Sequence, residues 1–125
     1  MRRTAWWFLA LLVTGCQSRL DVDRTYRIES GGVQTVDVDP PRYNQKVAVT
    51  IGTDAPVKVH IYLKRDADAV EKDLSLKQKS DKTLADWTGD KGGTLDVEVP
   101  AHQIAIVRIE APQKVANVSV KIVGK

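Results

Sequence analysis

The chain offers few side chains that could do chemistry, and their spacing decides what each can do. His60 and His102 are the only histidines among its 125 residues. A zinc site needs ligands converging from short, regular spacings, and neither histidine has such a partner. His60 alternates onto the polar side of its segment and reads as a solvated surface histidine. His102 follows Pro100 in a turn and reads as a turn residue. Ser30, Ser75, Ser80 and Ser119 lack the Gly-x-Ser-x-Gly elbow or any other context of an activated nucleophile. Acids gather at Asp66, Asp68, Glu71 and Asp73, and oxygen-rich loops of this kind can bind Ca²⁺. The EF-hand pattern fails, however, because Val70 occupies the third ligand position and no loop glycine follows. Lys64, Arg65 and Lys72 interleave with these acids and oppose a cation, so the segment reads as a solvated helical turn with Asp66 at its N-cap.

Trp87 has more of a binding character. It lies in Leu84-Ala85-Asp86-Trp87-Thr88-Gly89-Asp90, a polar stretch just before Gly92-Gly93. An exposed tryptophan beside an aspartate could stack on a sugar ring or a partner protein, which makes Trp87 the candidate ligand contact. The competing and preferred reading is a tether, in which Leu84 and Trp87 fold back and tie a long loop to the domain. Burying one large aromatic offsets the disorder of several loop residues.

Cys16 carries the strongest signal. Arg2 and Arg3 form a positive n-region, and the apolar run AWWFLALLV that follows is about half the roughly 20 residues a spanning helix needs. That length suits a secretory h-region. Val13-Thr14-Gly15-Cys16 then resembles the lipobox of bacterial lipoproteins. The resemblance implies diacylglycerol on the Cys16 thiol, cleavage between Gly15 and Cys16, and acylation of the new amino terminus. Residues 1–15 are then a signal peptide, with its signal helix, and residues 16–24 a lipidated cysteine and polar tether. Gln17 is not the aspartate that retains enterobacterial lipoproteins at the inner membrane, so the expected address is the cell envelope at the outer membrane. Thr4-Ala5-Trp6 does not continue a twin-arginine motif.

Removing the leader changes the charge argument. The whole chain has 19 Lys+Arg against 16 Asp+Glu, but Arg2 and Arg3 leave with the signal, so 17 basic and 16 acidic side chains remain. These are interspersed, which excludes the clustered basic face of a nucleic-acid binder. With Cys16 lipidated no thiol is left for a disulfide or a cysteine metal site. About 110 residues remain, enough for one domain with one core.

Stepping from tether into domain, the pattern becomes that of strands. Tyr26 and Ile28, Val36 and Val38, Val47, Val49 and Ile51, then Val57, Val59, Ile61 and Leu63 alternate with polar neighbours. Leu95, Val97 and Val99 repeat the pattern, as do Val118, Val120 and Ile122. Residues 104–109 (IAIVRI) are nearly all apolar and suit a central strand covered on both faces. Gly31-Gly32, Pro40-Pro41, residues 52–56, Gly92-Gly93, Pro100 and Pro112 punctuate them. The expectation over residues 25–125 is an all-β, antiparallel β-sandwich of about seven strands. One long connection, 65–93, carries Ala67, Val70 and Leu74 at helical spacing and reads as a short helix or turn followed by a mobile loop.

This layout resembles the bacterial pre-peptidase C-terminal domain, a small β-sandwich of secreted proteins. The resemblance rests on Thr25-Tyr26-Arg27-Ile28 before Gly31-Gly32-Val33, on VKVHIYLKRD at 57–66, and on TLDVEVPA at 94–101 leading into residues 104–110. Two motifs depart from it. Lys58 and His60 stand where the family has Asp-x-Asp-Leu, and His102-Gln103-Ile104-Ala105 replaces Gly-Thr-Tyr-Tyr. The resemblance therefore implies a fold and carries over no ligand site. Asn117-Val118-Ser119 matches a glycosylation sequon, a chance match in bacterial export. The sequence thus points to a membrane-anchored envelope lipoprotein, held by membrane lipid through acylated Cys16. It needs no cofactor, performs no catalysis and acts as a structural or interaction module with an envelope protein or glycan partner. The alternative is a module binding a glycan at Trp87 or Ca²⁺ at 66–73.

Overall fold

Alternating β-branched residues need a second surface to bury their apolar side, and the computed structural model, described over residues 21–124, supplies it with two packed sheets. Eight strands run in chain order: β1 (Asp21–Ile28), β2 (Val33–Val38), β3 (Gln45–Thr53), β4 (Val57–Leu63), β5 (Thr83–Gly89), β6 (Gly92–Val99), β7 (Ala105–Glu110) and β8 (Ala116–Gly124). One sheet has the order β1-β8-β3-β6 and the other β2-β7-β4-β5. Every neighbouring pair is antiparallel. Two four-stranded sheets interleaved in this order make a jelly roll, the double Greek-key form of the sandwich.

The register sends the expected residues inward. Val47, Val49, Ile51, Val57, Val59, Ile61, Leu63, Val97, Val99, Val118, Val120 and Ile122 are buried in one core, with Leu95 partly buried against it. Each such aliphatic side chain removed from water contributes about 1.5–3 kcal/mol before entropy is counted. β7 is central in its sheet, and Ala105, Ile106, Val107 and Ile109 are all buried.

Two features differ from the sequence reading. β1 begins at Asp21, so Asp21, Val22, Asp23 and Arg24 are paired strand residues opposite Val123, Ile122, Lys121 and Val120 rather than tether. The 65–93 connection is not a helix and a loop alone. A 3-10 turn (Lys64–Asp66) leads into α1 (Ala67–Ser75), a short turn follows, and then the eighth strand, β5, pairs with β4. β5 escaped detection because its half-buried positions are Thr83, Ala85, Trp87 and Gly89, while Leu84 is exposed. Leu84 sits at an irregularity, since Ile61 opposes Ala85 but Tyr62 opposes Thr83. A bulge of that kind spoils a period-2 pattern.

α1 lies on the outer face of the second sheet. Its spacing puts Ala67, Val70 and Leu74 on one side, and they form a small second core with Tyr62 and Ile106. Asp66 occupies the N-cap position but its side chain makes no capping hydrogen bond. At the other end Gln78 N–H donates to Asp73 O (2.8 Å) and Lys77 N–H to Leu74 O (3.0 Å), with Lys77 at φ 57. That is a Schellman cap with lysine in the left-handed position that usually takes glycine.

The two ends of the sandwich differ. At one end lie the start of β1, the end of β8, the 39–44 loop between β2 and β3, the 100–104 loop between β6 and β7, and the 3-10 turn. At the other lie the four short connections β1–β2, β3–β4, β5–β6 and β7–β8.

Candidate functional site

The polar groups that come together do so on the outer face of the β2-β7-β4-β5 sheet, beside α1. Period-2 alternation exposes Thr35 on β2, Arg108 on β7, His60 on β4 and Asp86 on β5 to this face. The register then aligns them, because Thr35 opposes Arg108, Arg108 opposes His60, and His60 opposes Asp86. One polar row therefore crosses all four strands. Glu110 and Lys58 oppose each other in the adjacent row.

His60 is not the solvated histidine the sequence suggested. Its side chain is 17% exposed and its Nδ1 donates to Asp86 Oδ1 at 2.7 Å. Thr83 Oγ1 donates to Asp86 Oδ2 at 3.0 Å, so both carboxylate oxygens are engaged and the imidazole is fixed. Nothing local announced the pair, because its members are 26 residues apart on strands whose pairing the sequence did not show. Arg108 is 16% exposed and Nη1 donates to Glu110 Oε1 at 3.5 Å. In the next row Tyr62 is buried beneath α1, and its hydroxyl donates to Glu71 Oε2 at 3.1 Å. Burial first, and then the negative charge of Glu71, push the Tyr62 phenol up to about 12. Tyr62 therefore stays protonated and serves as a fixed donor. Carboxylate–imidazole pairing orients a ring for proton transfer or recognition. Here the row lies on a sheet face, where fixed donors and acceptors suit hydrogen bonding and charge pairing with another surface.

The other residues singled out from sequence lie elsewhere. Gly15 and Cys16 fall outside the described residues. His102 is exposed, sits at φ 66, and its N–H donates to Pro41 O at 2.8 Å. Ser30 and Ser75 give their hydroxyls to the Gln113 and Lys72 carbonyls, and Ser80 Oγ accepts from Lys82 N–H. Asp66, Asp68, Glu71 and Asp73 do not converge: Glu71 reaches Tyr62 while Asp66 lies 4.0 Å from Arg65 Nε. Among the described residues no group of three or more His, Cys, Asp or Glu could hold a metal ion. Asn117 is engaged twice by Asp54, through its backbone N–H and Nδ2, both at 2.9 Å. Those two bonds hold the Asp54 carboxyl below its usual range.

Trp87 is half-buried on β5 and packs against the main core. Its ring lies over Gly89 and Gly93, so close that a Cβ on Gly93 would come within 2.6 Å of Nε1 and one on Gly89 within 2.5 Å of Cζ2. The indole thus bridges the edge strands β5 and β6 of the two sheets. A separate shallow groove of about 310 Å³ opens at the opposite seam between β1 and β2, lined by Val22, Arg24, Tyr26, Thr35, Asp37 and Asp39 among others.

No family model matches this chain, and no curated protein does. Among solved structures it is similar to a de novo designed double-stranded beta-helix determined by solution NMR, with 11% identity, a TM-score of 0.46, and coverage of 83% of this chain and 99% of that one. It is also similar to PirA, in a crystal structure, with 11% identity, a TM-score of 0.45, and coverage of 78% and 90%. The architecture therefore rests on the strand order itself, which is that of an eight-stranded antiparallel jelly-roll sandwich.

Proposed function

We propose that this chain is a lipid-anchored lipoprotein of the bacterial cell envelope, at the outer membrane, whose sandwich is a non-catalytic interaction module. One observation carries the anchoring. The Val13-Thr14-Gly15-Cys16 motif stands only four residues before Asp21, where β1 begins, so the folded domain starts directly behind the acylation site. Several acyl chains on one residue hold a domain far more firmly than a single chain would. The polar row of Thr35, Arg108, His60 and Asp86 is the partner-facing surface in this reading. Its support is that His60 and Arg108 are each paired with a carboxylate and largely covered, so they present hydrogen-bonding groups with little left to immobilise on binding.

Intact mass of the membrane-extracted protein tests the anchor. The expected product has lost residues 1–15 and carries diacylglycerol plus a third acyl chain on Cys16. Cys16→Ser should release the protein from membranes. A product cut elsewhere, or a Cys16→Ser protein that still fractionates with membranes, overturns the reading.

A further inference from the structure

We propose that the end of the sandwich at which the chain enters rests on the lipid surface that holds Cys16, with Tyr43 as its interfacial contact. This rests on the anchored reading above. Five Cα steps separate Cys16 from Asp21, and an extended chain covers at most about 3.6 Å per step, so Asp21 stays within roughly 18 Å of the acylated residue. Asp21 opens β1 opposite Val123, and the same end carries the 39–44 loop. The tether is therefore too short to turn the domain over and bring its other end to the bilayer.

Tyr43 is 79% exposed, the most exposed of the large hydrophobic side chains among the described residues. It is displayed on a braced loop. Pro40-Pro41 restricts the backbone before it, His102 N–H donates to Pro41 O at 2.8 Å, and Ala101 N–H donates to Asn44 Oδ1 at 2.9 Å. The amphipathic tyrosine ring is the kind of side chain that settles at the headgroup level, with its body in the acyl boundary and its hydroxyl in water. A loop already held in place loses little freedom when the ring inserts.

The charge around it says which lipid is needed. Arg42, Lys46, Lys64 and Arg65 lie at or near this end, but so do Asp21, Asp37 and Asp39, and Lys64 is within 3.7 Å of Asp37 while Arg65 is within 4.0 Å of Asp66. The surface is mixed, so the contact comes from the ring and does not depend on anionic lipid. One tyrosine is a weak anchor. It suffices here because the acyl chains already keep it beside the membrane at high effective concentration.

The test uses the full, processed protein with its own lipid, reconstituted into phosphatidylcholine vesicles. Arg42→Cys, beside Tyr43, and Lys91→Cys, at the opposite end, each introduce the one reactive thiol, since Cys16 is blocked by acylation. A nitroxide at 42 should lose most of its accessibility to an aqueous nickel chelate while one at 91 keeps it. Adding Tyr43→Ser to Arg42→Cys should restore accessibility, and added phosphatidylglycerol should leave the pattern unchanged. If intact mass confirms the acylated Cys16 and position 42 is as accessible as 91, or stays sheltered without Tyr43, this inference falls and the anchor stands. An unacylated Cys16 overturns both.

Discussion

If the Trp87 ring is committed to the edge between the two sheets, Gly93→Ala should destabilise the domain only while that ring is present. A Cβ on Gly93 would lie 2.6, 2.8 and 3.0 Å from Nε1, Cε2 and Cζ2, the three nearest atoms, all of them in the indole. The ring must then move off its glycine bed, and overpacking of this kind costs about 1–2 kcal/mol. Trp87→Ala alone removes a half-buried aromatic and should cost about 2–3 kcal/mol, below the full range for a buried tryptophan. In the Trp87→Ala background the clash is gone. Alanine is the better strand residue there and restrains the unfolded chain, so the same substitution should become neutral or gain up to about 1 kcal/mol. The penalty of Gly93→Ala vanishes or inverts, and the coupling energy is about 1–3 kcal/mol. Urea unfolding of the four species, with Cys16→Ser for solubility, measures it, and each kcal/mol corresponds to about 4–6 °C in Tm. An equal penalty in both backgrounds would place the indole elsewhere and return Trp87 to the role of a free stacking platform for a sugar.

Four further outcomes follow from particular contacts. Asp54 is held below its ordinary value by Asn117, so its contribution is complete above the unfolded pKa near 3.8 and is lost as pH falls through the depressed folded value; Asn117→Ala should flatten that acid limb in urea midpoints measured against pH. Tyr62 is raised from 10 to about 12, so its contribution is complete below pH 10 and disappears between pH 10 and 12; Tyr62→Phe should remove the last tyrosinate step from an absorbance titration and lessen the alkaline loss of stability. Lys77 sits at φ 57 in the Schellman cap of α1, where a Cβ is unfavourable, so Lys77→Gly should raise stability by about 1 kcal/mol in thermal unfolding. A chain starting at Thr25 should be destabilised by at least about 2 kcal/mol relative to one starting at Asp21, because it forfeits four register pairs with β8 and the packing of Val22, and denaturant midpoints that coincide would contradict the assignment of β1.

What the sequence revealed followed from local alternation. β3, β4, β6 and β8 each place valine, leucine or isoleucine at every second position, and the core residues match that pattern; Tyr62 of β4 is buried off the pattern, under α1 on the outer face. β7 reads as apolar throughout because both its faces are covered, one by the main core and the other, at Ile106, by α1. Concealed were the elements whose inward residues are not aliphatic. β5 turns only alanine, tryptophan and glycine toward the core, and the first half of β1 partly buries only Val22 among aspartates and an arginine, so one resembled a loop and the other a tether. The candidate site was hidden for a different reason. Each of its residues is an ordinary outward polar position, and only the order β2-β7-β4-β5 sets Thr35, Arg108, His60 and Asp86 side by side. Strand order depends on pairings between distant segments, and single-strand patterns carry no record of them.

The strand order also decides what an anchored domain of this kind can present. Its chain enters at one end beside the 39–44 and 100–104 loops, so under the proposed anchoring those loops would be turned toward the membrane. The opposite end is knitted together by Gly31 N–H to Ala111 O, Ala111 N–H to Gly32 O, Thr53 N–H to Lys91 O and the paired Asp54–Asn117 bonds. β3 and β8 have nine residues each, which sets that end about 30 Å from the first. Neighbouring strands pair across the sheet, so the row from Thr35 to Asp86 runs perpendicular to the strands, and in the proposed anchored orientation it would lie parallel to the membrane partway up the domain. If the chain is anchored as proposed, a partner reaching that row would approach from the side, over a face flanked by α1 and clear of the lipid, at a height set by the acyl chains and Tyr43.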